Sequence, residues 1–186
     1  MKKQSILSRI NTLTLPLLIL TPLVLVTPTL SAQDSEQDKV KELRDQVAAC
    51  ESPGAKENLQ RAEAFLDNNR TLEGVVTTDS GLQYKIVKTG NGSKNPRSRD
   101  MVSTHYTLTN LDGDKLDSSY DRSIPLQFVV TEVIPGWQEA LQLMTEGEHI
   151  QLFIPPHLGY RCKGSPPKIG PNELLLFDME LIAIVR

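Results

Sequence analysis

The sequence predicts an α+β domain: an antiparallel β-sheet covering one short helix, with a short helical segment ahead of it. Three observations predict it. Between residues 81 and 181, apolar side chains recur at every second position in five or six short runs, the period of half-buried strands. A single helical face falls among those runs, at residues 135–144. Residues 34–70 carry a helical repeat and almost no strand signal.

The first 32 residues read as an export leader. Lys2, Lys3 and Arg9 come early, and no acidic residue precedes Asp34. An apolar run from Leu15 to Val26 follows, interrupted by Pro16 and Pro22, and it ends in small and polar residues up to Ala32. This is the charged start, apolar middle and small-residue exit of a secretory signal peptide, with cleavage expected after Ala32. The run is shorter than the ~20 residues a spanning helix needs, so no stable membrane insertion is expected after cleavage. Gln33, not Cys, follows Ala32, so no thiol is offered there for a lipid anchor. The mature chain would carry 17 basic and 23 acidic residues, a net charge of −6, in the periplasm or secreted.

Residues 33–71 form the helical segment. Val40, Leu43, Val47 and Ala48 fall at i, i+3, i+7 and i+8, on one face. Ser52-Pro53-Gly54 breaks that helix. Leu59, Ala62, Phe65 and Leu66 then mark a second helix from about Ala55 to Asn68. Neither is long enough to be stable alone in water. They must pack on the following domain, pack on a partner chain, or stay partly frayed as a loosely ordered linker, and a second copy of the chain is a candidate partner, giving a homodimer. Cys50 and Cys162 stand 112 positions apart. An oxidising compartment permits them to pair, and the sequence leaves paired and unpaired thiols equally open.

Residues 72–186 form the sheet domain. Gly81 to Val87 reads as a strand followed by turn residues at 89–93. Val102, Thr104, Tyr106 and Leu108 alternate with polar residues. Asp112-Gly113 marks a hairpin, with Leu116 on the returning strand. Leu126, Phe128 and Val130 give a further strand, as do Ile150, Leu152 and Ile154, and then Leu175, Phe177, Met179 and Leu181. Trp137, Ala140, Leu141 and Met144 share one helical face, with Pro135 suited to the first turn.

Composition excludes several functions. The chain of 186 residues is 39% hydrophobic and 23% charged, too apolar for a disordered protein. Its net charge of −3 lacks the basic excess of a nucleic-acid binder. There is no Gly-x-Ser-x-Gly elbow, phosphate-binding glycine loop or His-Glu-x-x-His, and His105, His149 and His157 show no metal-ligand spacing. What the domain does have is an aromatic and aliphatic group: Tyr106, Phe128, Val133, Ile134, Trp137, Tyr160 and Phe177. On pattern alone these residues serve either as core or as an apolar pocket with Tyr106, Asp117 and Tyr160 as polar handles.

In order along the chain stand Gly81-Leu-Gln-Tyr84, His105-Tyr-Thr107, Asp117-Ser-Ser119, Asp121-Arg122, Val133-Ile-Pro-Gly-Trp137, Ile154-Pro155, Gly159-Tyr160, Ile169-Gly-Pro171 and Leu175-Leu-Phe177. With these residues the chain resembles the FKBP-type peptidyl-prolyl cis-trans isomerases, in particular the secreted bacterial macrophage infectivity potentiator subgroup, over about residues 72–185. Glu63-Ala-Phe-Leu66 and Gly74-Val-Val76 resemble the join to that subgroup's N-terminal helical region.

The resemblance implies an FKBP-like fold, a bent antiparallel sheet wrapped around the helix, with the substrate between them and no cofactor or metal. It implies Trp137 as a floor for a prolyl ring, the backbone N–H of Ile134 and the Tyr160 hydroxyl as holders of substrate carbonyls, and Asp117 beside Tyr106 and Arg122 as a polar edge. Phe177 completes the catalytic set. Phe128, Val133, Ile169, Leu116 and Leu126 would line the substrate. Leu116 and Leu126 stand where the family commonly has aromatic walls, and Arg161 stands where Gly is usual. With Ser165 and Lys168 this implies a more polar and cationic rim. The implied partners are proline-containing peptides and unfolded exported proteins, and the implied activity is isomerisation of X-Pro bonds. A weakly catalytic or non-catalytic chaperone-like binding module built on the same pocket is the alternative.

Overall fold

A computed structural model describes residues 30–185 of the chain, with side chains from residue 34 onward. Most of the expected leader therefore lies outside the described residues. The architecture is the expected α+β one, with three α-helices and a single antiparallel sheet of seven strands among the described residues. In chain order the helices are α1 (Leu30–Ala48), α2 (Ala55–Asn69) and α3 (Pro135–Leu143). The strands are β1 (Val75–Thr77), β2 (Gln83–Lys88), β3 (Met101–Thr109), β4 (Lys115–Ser118), β5 (Leu126–Val129), β6 (His149–Ile154) and β7 (Leu175–Val185).

The sheet runs β1-β2-β6-β7-β3-β4, with β5 also on β3. The two longest strands, β3 and β7, lie side by side at its centre. On its far side β3 is shared: Met101–Thr104 pair with β5 and Thr107–Thr109 with β4. Register shifts interrupt β2–β6, β3–β4 and β3–β7, and such irregularities bend a sheet. The strand missing from the sequence reading is β1, whose three residues are too few to show a period.

One face of the sheet packs on α3. Trp137, Ala140, Leu141 and Met144, the face expected from spacing, are all buried against Leu82, Val102, Ile150, Leu152, Ile154, Met179 and Leu181. Burying each large aliphatic side chain contributes about 1.5–3 kcal/mol. Gly136 sets how closely α3 approaches. A Cβ there would lie 2.6 Å from Cγ2 of the buried Ile154, so the turn of helix beneath Trp137 touches β6 through its backbone.

The α1–α2 hairpin folds back onto its own domain. Val40, Val47, Ala55 and Ala62 are buried there, and Phe65 meets Phe153 at 5.7 Å. The dock is polar as well. Arg44 donates to the Ser80 carbonyl at 2.9 Å, Asn58 to the Pro171 carbonyl at 2.9 Å and Gln83 to the Leu66 carbonyl at 3.0 Å. Asn69 and Gln83 pair side chain to side chain, both buried. Cys50 and Cys162 are joined as a disulfide, with their Cα atoms 5.5 Å apart.

Candidate functional site

At the N-terminal end of α3 the helix and sheet part, leaving an open hollow of about 300 Å³. Pro135 begins α3, and the indole of Trp137 lies two residues in. Strand alternation places Tyr106 and Leu108 of β3 on the same face, and β7 brings Phe177 opposite Leu108. Three rings surround the indole: Tyr106 at 5.0 Å, Phe177 at 5.1 Å and Phe128 at 5.4 Å between centroids. The Tyr106 and Phe177 contacts are edge-on, the geometry that ring quadrupoles favour. The indole is 4% exposed, and among the described residues its Nε1–H has no hydrogen-bond partner.

The polar edge lies on one side. The Tyr106 hydroxyl donates to Asp117, and Arg122 donates to the other oxygen of Asp117 and to the Tyr106 oxygen, both at 2.9 Å. The guanidinium carbon also sits 5.8 Å from the centre of the Tyr106 ring. Partial burial pushes the Asp117 carboxyl up, but the hydrogen bonds from Tyr106 and Arg122 and the Arg122 charge outweigh it, so it stays below its ordinary value. Burial and then the Asp117 hydrogen bond raise the Tyr106 phenol. Burial, and after it the Asp117 charge, raise the Tyr160 phenol, which is therefore a neutral donor near neutral pH. Neither the Tyr160 hydroxyl nor the Ile134 N–H is bonded within the described chain.

Tyr106, Asp117, Ile134, Trp137, Tyr160 and Phe177 all line the hollow, with Val133 and Leu126. Three other residues from the sequence reading do not. Phe128 backs the indole from behind, Ile169 is buried in the core beneath its loop, and Leu116 packs against the core with its carbonyl accepting from Lys168. Leu108 and Glu132 line the hollow without having been singled out. Leu108 was legible, two positions from Tyr106 on an alternating strand; nothing in the sequence marked Glu132.

The rim differs from the cationic one the sequence implied. Arg161 Nε donates to the His157 carbonyl, Lys168 Nζ to the Leu116 carbonyl, and Ser165 closes a bridge to Ile169. The two cations are thus turned to backbone, and the charged residues lining the hollow are Asp117 and Glu132.

A larger cleft of about 540 Å³ lies between the helical hairpin, β1–β2 and Pro155–His157. It has no aromatic floor, and its Arg44 and His157 side chains are both committed to the Ser80 carbonyl. The chemistry favours the smaller hollow. Among the described residues no group of three or more His, Cys, Asp or Glu is placed to hold a metal ion.

The family model for FKBP-type peptidyl-prolyl cis-trans isomerases matches residues 92–182, and the model for the domain amino-terminal to these isomerases matches residues 24–86. The chain belongs to the FKBP family. It is 40% identical over 158 residues to a probable FKBP-type peptidyl-prolyl cis-trans isomerase FkpA of Neisseria meningitidis serogroup B, covering 83% of this chain and 58% of that protein. It is 42% identical over 146 residues to the outer membrane protein MIP of Legionella longbeachae, covering 78% and 62%. The crystal structure of FkpA from Escherichia coli superposes with a TM-score of 0.66 at 33% identity, covering 83% of this chain and 70% of that one. The chain spans about three-fifths of the length of the two FKBP relatives named first.

Proposed function

We propose that the chain is a peptidyl-prolyl cis-trans isomerase acting on proline-containing segments of exported proteins. The observation that carries this reading is the aromatic hollow itself: an indole floor held by three rings, open at its mouth, with two unengaged donors beside it. An X-Pro bond interconverts over tens to hundreds of seconds because rotation costs about 18–20 kcal/mol of amide resonance. Rotation localises the nitrogen lone pair and reduces the charge separation of the planar amide. An apolar surface such as Trp137 and Phe177 therefore costs the twisted form less solvation than the planar one, which is differential binding of the transition state.

The Ile134 N–H and the Tyr160 hydroxyl would hold flanking carbonyls of the peptide, leaving the prolyl bond itself over the indole. Asp117, tied to Tyr106 and Arg122, would keep the wall in place and not exchange a proton. Export to the periplasm or medium belongs to this reading, supported by the leader pattern and by the disulfide, which persists in oxidising compartments. A homodimer through α1 and α2 would use faces left over from the intramolecular dock, and light scattering on the mature chain distinguishes one copy from two.

A protease-coupled assay on a proline-containing peptide tests the activity. The expected result is isomerisation well above the uncatalysed rate. Folded protein that gives no acceleration overturns it, and peptide binding without acceleration would establish the chaperone-like alternative.

A further inference from the structure

The loop that presents Tyr160 is held from behind in an unfavourable conformation. Three described non-glycine residues have positive φ: Ser123, Arg161 and Asn172. Two of them meet here, since the Asn172 N–H donates to the Arg161 carbonyl at 2.8 Å. Arg161, at φ 54°, directly follows Tyr160 and directly precedes Cys162. A left-handed backbone at a residue with a Cβ persists only where the surroundings over-determine it.

Those surroundings come from the helical hairpin. Cys162 is bonded to Cys50 in the turn between α1 and α2, and Ser52 Oγ lies 3.5 Å from Cys162 Sγ. The buried Asn172 side chain donates to the carbonyls of Val47 at 2.8 Å and Ala55 at 3.4 Å, the last turn of α1 and the first residue of α2. Asn58 of α2 donates to the Pro171 carbonyl. The loop is thus fastened to the hairpin at Cys162 on one side of Arg161 and at Pro171 and Asn172, the residue bonded to the Arg161 carbonyl, on the other. Tyr160 stands at the entry to this loop, one residue before Arg161, and among the described residues its hydroxyl makes no bond.

We propose that the Cys50–Cys162 cross-link and Asn172 are positioning residues for Tyr160, so that the α1–α2 hairpin sets the substrate affinity of a hollow it does not line. This rests on the isomerase reading of that hollow. The hairpin acts by making the left-handed turn at Arg161 the resting state. Without the fastening, Arg161 prefers right-handed backbone by a factor on the order of ten, and Tyr160 leaves the mouth in most molecules. Because Tyr160 holds a carbonyl in both the planar and the twisted state, its displacement changes KM and leaves kcat in place. Glycine at 161 would occupy the left-handed region freely and remove the need for the fastening.

The test measures kcat and KM on a proline-containing peptide, together with amide hydrogen exchange over residues 159–164, for the native chain, C50S, and C50S with R161G. The expected result for C50S is a KM roughly three- to tenfold higher, kcat within about twofold, and about tenfold faster exchange confined to the loop. Adding R161G is expected to return KM to within about twofold of the native value. If C50S does not fold, N172G takes its place: it keeps the left-handed backbone and the disulfide while removing both side-chain bonds to the hairpin. Unchanged KM and exchange in the fastening variant overturn the proposal, as does a raised KM that R161G leaves raised. A native chain without isomerase activity would overturn the catalytic reading instead, and the exchange rates would still decide whether the hairpin holds the loop.

Discussion

The ring of Tyr106 stands edge-on to the indole of Trp137, with centroids 5.0 Å apart and planes at 81°. The same residue spends its hydroxyl on Asp117 and accepts from Arg122. One side chain therefore joins the apolar floor to the polar edge. Tyr106→Phe keeps the ring contact and leaves Asp117 and Arg122 to each other. The expected cost is about 1–2 kcal/mol of stability, read as a lower urea midpoint with an unchanged slope. An unmoved midpoint would show that the hydroxyl does not hold the edge.

Trp137→Leu keeps the floor apolar but removes most of its breadth. Affinity for a prolyl peptide is expected to fall about tenfold, equivalent to ~1.4 kcal/mol, by calorimetry. Equal affinity in the variant would remove the indole from the binding surface.

Tyr160→Phe deletes a hydroxyl that no other group among the described residues uses. Thermal stability is expected to stay level while kcat/KM drops about two- to tenfold, the worth of one hydrogen bond. A drop in Tm with unchanged kcat/KM would make Tyr160 a structural residue.

His157 gives the hairpin dock a pH dependence. Burial holds its imidazole below the ordinary value, and the charges of Arg44 and Arg161 act in the same direction against the Ser80 carbonyl bond. The native state thus binds the proton later than the unfolded chain does. Stability from this group is complete above about pH 6.5 and falls as pH drops from there towards the native value, by at most ~1.4 kcal/mol per pH unit. His157→Gln keeps a donor for Ser80 without a titration, and its stability profile below pH 6.5 should be flatter by that amount. Identical profiles for the two proteins would assign the acid sensitivity elsewhere.

Gly136→Ala places a methyl 2.6 Å from Ile154 Cγ2 in a fully packed layer. Either α3 lifts or Ile154 leaves its rotamer, at an expected 1–3 kcal/mol in urea denaturation. A neutral substitution would show that the close approach is not needed to seat Trp137.

Much of this was legible in the residues, and for identifiable reasons. The face Trp137, Ala140, Leu141 and Met144 is set by helical period, and β3, β6 and β7 are long enough to show alternation. The three-residue β1 is not. Phe128 and Ile169 sit on the right side of the sheet but one layer behind the hollow, a difference of depth that period cannot express. The docking of α1 and α2 depends on Asn172, Pro171 and Cys162, more than a hundred positions away, so no local pattern could assign it. The rim charges misled because Arg161 and Lys168 are long enough to turn back onto carbonyls.

The order of strands in the sheet has a consequence for synthesis. β7 follows the other six strands in the chain, yet it lies between β6 and β3 and joins the two halves of the sheet. A chain whose β7 is still inside the ribosome holds two separate sheet fragments and cannot close its core. The sheet domain therefore stays threadable until β7 has emerged, and only then can its two halves join.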